Sequence, residues 1–184
     1  MPQWRVDERS GAERARRIEW LVLDVDGVLT DGKLYYGPRQ GAQGETKAFH
    51  VHDGHGLVLW QRAGKQTAVI SGRSSEAVTA RCADLNIAHV YQGALVKKEA
   101  FETFLRDTGA KAEAVCYIGD DIVDVPILRR AGLAVAVANA MPEAVAAAQA
   151  VTDTRGGCGA VREVIDYILK VQQLWTRVAA RYDE

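Results

Sequence analysis

Five short apolar runs, each followed by a stretch of helical spacing, constrain this chain more than any other feature. The runs Trp20–Asp24, Gln66–Ile70, Ala88–Tyr91, Ala114–Ile118 and Leu133–Val137 are short and bounded by turn signals, so they read as buried strands. Helical patterns follow at Gly56–Ala63, Ser75–Leu85, Leu95–Thr108, Val123–Ala131 and Pro142–Ala148. A last helix is expected over roughly Ala160–Trp175, where Val161, Val164, Ile165, Ile168 and Leu169 form one stripe. Alternation of this kind predicts an α/β fold: a parallel sheet with helices on both faces. Residues 32–51 break the rhythm. Lys33–Tyr36 and Thr46–Phe49 read as two strands around the Gly-rich turn 37–44, a β-hairpin inserted in the sheet order. The 184 residues suffice for one domain with a real core, here residues 18–184. The polar residues 1–17 read as a frayed lead-in.

Composition excludes several classes. Apolar residues are 48% and charged residues 26%, the balance of a soluble globular chain. A net charge of −1 supplies no basic field for nucleic acid. The apolar runs are too short to span a bilayer. The first residues lack the apolar core of a signal peptide, so the cytoplasm is the expected compartment. Cys82, Cys116 and Cys158 are odd in number and form no zinc pattern, which fits free thiols in a reducing compartment.

The chemistry is concentrated at the predicted strand ends. The first strand ends in Asp24-Val25-Asp26-Gly27. The second is followed by Ser71-Gly72-Arg73, the third leads through Gln92-Gly93 to Lys97, and the fourth ends in Gly119-Asp120-Asp121 with Asp124 beyond. Parallel strands bring these ends to one rim, where open α/β sheets hold their ligands. Taken singly, each has an ordinary reading: aspartates begin turns, Ser71 starts a helix, Lys97 is solvated, Asp124 caps a helix. Their joint order points to phosphoryl transfer. A phosphate ester repels an anionic nucleophile, so the site needs positive charge. Carboxylates from Asp24 and Asp120 suit Mg2+. Lys97 adds a fixed cation, and the Ser71 hydroxyl binds phosphate oxygens. Asp24 can attack phosphorus, and Asp26 can protonate the leaving oxygen and later activate water. Lys98 is the neighbouring alternative to Lys97. Consecutive helical residues point about 100° apart, so one of the two faces the site.

This set resembles the haloacid dehalogenase superfamily. The resemblance implies a Rossmann-like three-layer α/β/α fold, Asp24 as nucleophile and Asp26 as acid/base. It also implies a metal held by Asp24, Asp120 and the backbone carbonyl of Asp26, with Asp121 and Asp124 as further ligands or support. The segments DVDGVLTDG (24–32), FHVHDGHG (49–56), SGRSSEAV (71–78), 92–97 and GGCGAVRE (156–163) narrow it to a capless branch. That branch dephosphorylates an eight-carbon acid sugar phosphate for the lipopolysaccharide inner core. It implies a homotetramer whose hairpins form a barrel, with a neighbouring subunit closing each site. Two positions depart from the pattern: His52 stands where the branch usually has Arg, and Val96 where it often has Asp, Asn or Glu.

Asp53, Gly72, Arg73 and His52 are the candidate substrate contacts, Arg73 because its fork suits a sugar carboxylate. His50, His52 and His55 cluster with Asp53, and substrate contact or a loop surface is preferred there over a second metal site. Gly156–Gly159 reads either as an anion cradle or as a turn into the last helix. Two rivals remain: a phosphatase for a nine-carbon acid sugar phosphate, and a non-catalytic module of the same fold. Neither nucleic acid nor membrane is expected as a partner.

Overall fold

The structure is a computed structural model, and it describes residues 2–36 and 45–182. Strands β1 (Gln3–Trp4), β2 (Trp20–Leu23), β5 (Gln66–Ile70), β6 (His89–Tyr91), β7 (Val115–Gly119), β8 (Leu133–Ala136) and β9 (Ala150–Val151) form one sheet. Its order is β1-β9-β8-β7-β2-β5-β6, parallel except for β1. A separate ribbon pairs β3 (Tyr35–Tyr36) with β4 (Glu45–Thr46), antiparallel. The expected turn 37–44 lies outside the described residues.

Strands buried on both faces read as continuous apolar runs, and the period of two sorts their side chains between layers. Leu21, Leu23, Val69, Cys116 and Ile118 face one core, while Val22, Ala68, Ile70 and Tyr117 face the other. Helices α1 (Glu8–Ala15), α2 (Val51–Arg62), α3 (Glu76–Asp84) and α7 (Ala160–Val171) cover the first face through Ala15, Leu57, Trp60, Val78, Val161, Val164 and Ile168. Helices α4 (Lys97–Thr108), α5 (Val125–Leu128) and α6 (Pro142–Ala147) cover the second through Phe101, Phe104, Ile127, Leu128 and Ala144. This is the three-layer α/β/α arrangement.

The ribbon strands are shorter than the expected Lys33–Tyr36 and Thr46–Phe49, and four other local expectations differ from the structure. The lead-in is folded: Gln3 and Trp4 pair with Val151 and Ala150, and the Trp4 ring packs on Tyr167 at 5.2 Å. Trp4 lies over Gly11, where any Cβ would overlap the indole, so α1 docks through its glycine. Helix α2 starts at Val51, five residues before the expected Gly56. Its glycines look like breakers but permit close packing: a Cβ on Gly56 would sit 2.8 Å from Arg162 Cδ on α7. The expected helix Val123–Ala131 is a 3-10 turn, Ile122–Asp124, running into the short α5. The last helix stops at Val171, and Gln173 at φ 58° turns the chain into α8 (Trp175–Ala179).

The topology places the chemistry. From β2 the order runs one way through β5 and β6 and the other way through β7, β8 and β9. The carboxyl ends of β2 and β7 therefore flank the switch point, where splayed loops leave a crevice.

Candidate active site

Asp24 follows β2 directly, and its N–H donates to the Ile118 carbonyl at 3.1 Å, so the sheet register holds it at the rim. A tight loop follows, in which the N–H groups of Val28, Leu29 and Thr30 all donate to Val25 O. Gly27 sits at φ 90°, and a Cβ there would overlap an Asp120 carboxylate oxygen. Gly156 lies against the Gly27 carbonyl with no space for a Cβ, and Gly157 N–H donates to Val28 O at 2.8 Å. The glycine run 156–159 thus buttresses the aspartate loop by backbone packing.

A crevice of about 210 Å³ opens at this rim, lined by Asp24, Asp26, Ser71, Gly72, Arg73, Lys97, Asp120, Asp121 and Val123. Lys97 Nζ lies 2.7 Å from Asp24 Oδ1 and 2.6 Å from Asp124 Oδ1. Burial works to lower the Lys97 pKa, but the two carboxylates outweigh it and the net shift is upward. Asp124 is fully buried and saturated. Lys97 and the Tyr117 hydroxyl, the latter at 2.6 Å, donate to Oδ1, and the N–H groups of Asp120 and Asp121 donate to Oδ2 at 2.9 and 3.2 Å. A carboxylate accepts about four hydrogen bonds. Asp124 therefore organises Lys97 and the β7 loop, while Asp24 and Asp120 line the crevice. Asp121 is exposed and accepts from Ile122 N–H at 2.6 Å, capping the turn.

Carboxylate oxygens of Asp24, Asp120 and Asp124 lie within 4.8 Å of one another. Burial, then the Asp124 charge, pushes the Asp24 carboxyl up to about 6 despite Lys97. Burial, then the Asp24 and Asp124 charges, pushes Asp120 up to about 8. One lysine does not neutralise this cluster. Hard oxygen donors short of positive charge fit a divalent cation such as Mg2+.

Ser71 is buried beyond β5, and its Oγ accepts from Arg73 N–H at 3.2 Å. Arg73 reaches Glu45 Oε1 at 3.1 Å, and its Nε lies 3.9 Å from Asp26. Asp26 accepts a hydrogen bond from Lys47, which also lies 3.1 Å from Glu45. Lys47, Glu45 and Tyr117 escape a reading of strand ends. Two signals were present: charged residues two apart share one face of an extended segment, and a phenol inside an apolar strand needs a partner.

Two expected substrate contacts lie elsewhere. Asp53 is buried, and its oxygens accept from Gly159 N–H at 3.2 Å and Arg162 N–H at 2.8 Å. It is occupied at the α7 N-terminus, which a carboxylate stabilises. Burial raises its pKa. His52 is exposed on the first turn of α2 and does not line the crevice. His50 precedes the first turn of α2 and His52 lies on it, and their rings meet edge to face at 5.0 Å. Among the described residues, Asp24, Asp120 and Asp124 form the one carboxylate cluster of this spacing, and Asp124 enters it through oxygens already taken by hydrogen bonds.

A switch-point crevice carrying paired aspartates, a buried lysine and a third carboxylate defines a hydrolase of the haloacid dehalogenase-like class, and the profile of that family matches residues 75–165. The chain is 45% identical over 159 residues to the 3-deoxy-D-manno-octulosonate 8-phosphate phosphatase of Salmonella typhi, covering 86% of this chain and 83% of that one. The Moraxella catarrhalis phosphatase of the same name, solved with magnesium ion, phosphate ion and KDO, superposes with TM-score 0.90 at 36% identity, covering 95% and 99% of the two chains. The Yersinia pestis phosphatase structure gives TM-score 0.85 at 41% identity, with 90% and 88% covered. The chain belongs to the 3-deoxy-D-manno-octulosonate 8-phosphate phosphatase family and is a phosphoric monoester hydrolase.

Proposed function

We propose that this chain, working as one domain, hydrolyses 3-deoxy-D-manno-octulosonate 8-phosphate to the free sugar acid and phosphate. The observation that carries this reading is the convergence of Asp24, Asp26, Ser71, Lys97 and Asp120 on one crevice. Asp24, Asp120 and the Asp26 carbonyl would hold Mg2+, which when bound supplies charge neutralisation to the phosphate. Asp24 attacks phosphorus through its carboxylate, forming an aspartyl-phosphate as the bond to the sugar oxygen breaks. Asp26 gives that oxygen its proton, then takes one from the water that releases phosphate. Lys97 and Ser71 hold the non-bridging oxygens. Lys97 also keeps Asp24 aimed by bridging it to Asp124. Arg73 and Gly72 line the mouth, where Arg73 meets the sugar carboxylate.

The product enters lipopolysaccharide inner-core synthesis in the cytoplasm, and the chain assembles as a homotetramer. Supporting assembly, apolar side chains are exposed beside the mouth: Tyr36 on β3, Leu95 and Val96 ahead of Lys97, Ile122 and Val123 beyond Asp121, and Met141. Met141 N–H donates to Asp120 O at 2.7 Å, so this fringe is tied to the site. Such surface is ordinarily covered.

Phosphate release from the eight-carbon substrate, with Mg2+ and then EDTA, beside the nine-carbon acid sugar phosphate, tests the reading. Magnesium-dependent preference for the eight-carbon compound is expected. Preference for the nine-carbon compound would move the substrate and leave the mechanism, and failure on both would overturn the assignment.

A further inference from the structure

We infer that Lys47 is a positioning residue for proton transfer, holding the Asp26 carboxyl at the leaving oxygen, and that Glu45 fixes Lys47 in turn. This rests on the acid/base reading of Asp26.

Asp26 lies past the end of β2, beyond the reach of the sheet register. Its side chain is 21% exposed, and two other carboxylates, Asp24 and Asp120, line the same crevice. Left alone, a carboxylate there would swing toward solvent, away from its neighbours. Lys47 opposes that. Its side chain is only 1% exposed, and among the described residues it alone donates a hydrogen bond to the Asp26 side chain.

The lysine is itself held. Glu45, 2% exposed, lies 3.1 Å from Lys47 Nζ and 3.1 Å from Arg73 Nη2. Burial would raise the Glu45 pKa, but the two cations more than reverse it. Two anions and two cations thus close a network running from the aspartate loop through the ribbon to the β5 loop. The Glu45–Arg73 pair alone would anchor the ribbon. The additional buried cation is directed at the carboxyl that must hand over a proton.

The test compares two substrates that differ in their need for an acid, read as the first-turnover burst of sugar or p-nitrophenol, because the later water step needs Asp26 whichever ester phosphorylated Asp24. The sugar phosphate loses an alkoxide-like oxygen that needs a proton, whereas p-nitrophenyl phosphate loses a phenolate that leaves without one. Asp26→Asn is expected to lower the first-turnover burst rate on the sugar phosphate by about 10²–10⁴-fold and to affect the burst on the aryl ester far less. Lys47→Met should show the same selectivity with a loss of roughly tenfold or more and KM little changed. Lys47→Arg should recover much of that loss. Equal losses on both substrates in Lys47→Met would overturn the inference while leaving Asp26 its role. Equal losses in Asp26→Asn would overturn both. Should Lys47→Met fail to fold, Glu45→Gln is the second variant. A selective but smaller loss there supports the inference, and an unselective one overturns it.

Discussion

Burial holds the Asp24 and Asp120 carboxyls above their ordinary range, near 6 and 8, helped by the Asp124 charge at Asp24 and by the Asp24 and Asp124 charges at Asp120. Each binds its proton more tightly folded than unfolded. In metal-free protein their contribution to stability is therefore complete below about pH 4 and is lost as pH rises through about 6 and then 8. Thermal melts in EDTA should fall across that window, and Mg2+ should restore the loss at the alkaline end. Asp120→Asn is expected to raise the melting temperature of EDTA-treated protein at pH 8, since each tenfold gain in proton affinity on folding corresponds to about 1.4 kcal/mol held against the ionised form. The same variant should lose magnesium-dependent turnover. Asp24→Asn should abolish turnover with folding intact, because an amide is a poor nucleophile. Rates near wild type in that variant, measured by phosphate release, would rule out covalent catalysis at Asp24.

At the scale of elements, the site is held by loops pressed together more than by hydrogen-bonded helices. The 156–159 run meets the aspartate loop backbone to backbone, with no space at Gly156 for a methyl group. Gly156→Ala is expected to cost about 1–3 kcal/mol by overpacking and to lower kcat, because the displaced loop carries Asp26. Denaturant melts and initial rates would show both. Asp53 gives the opposite pattern. It receives the first N–H groups of α7. Asp53→Ala should therefore cost about 1–2 kcal/mol, as a lost cap does, with KM for the sugar phosphate nearly unchanged. A large rise in KM at unchanged stability would return Asp53 to the substrate.

At the scale of the molecule, both ends of the chain complete the first layer. Trp4 packs on Tyr167, and the Gln172 amide donates to the carbonyls of Ala15 and Ile18 at 2.8 Å. Deleting residues 1–17 would bare β9 and one side of α7. A lower melting temperature is expected, and an unchanged one would mean that the segment is only appended. The apolar mouth belongs to the same scale. Light scattering at working concentration should give a mass near four chains, and a monomer would overturn the tetramer.

The parallel sheet, its helices and the rim were legible because each rests on local pattern. Runs such as Ala68–Ile70 and Val115–Ile118 are apolar throughout, and strands buried on both faces require that. Parallel connection then carries every strand end to one edge, so Asp24, Ser71, Lys97 and Asp120 could be placed together from their order alone. Other features depended on partners distant in sequence. Gly54 and Gly56 look like helix breakers until α3 and α7 come against them, and Asp53 looks like a ligand until α7 begins beside it. Glu45 and Lys47 look like solvated ribbon charges until Asp26 and Arg73 fold up to them. Sequence alone determined which residues could meet at the rim, because that follows from period and topology. Which charges face one another there was decided only by tertiary packing, because burial forces each charge to find its partner from another element.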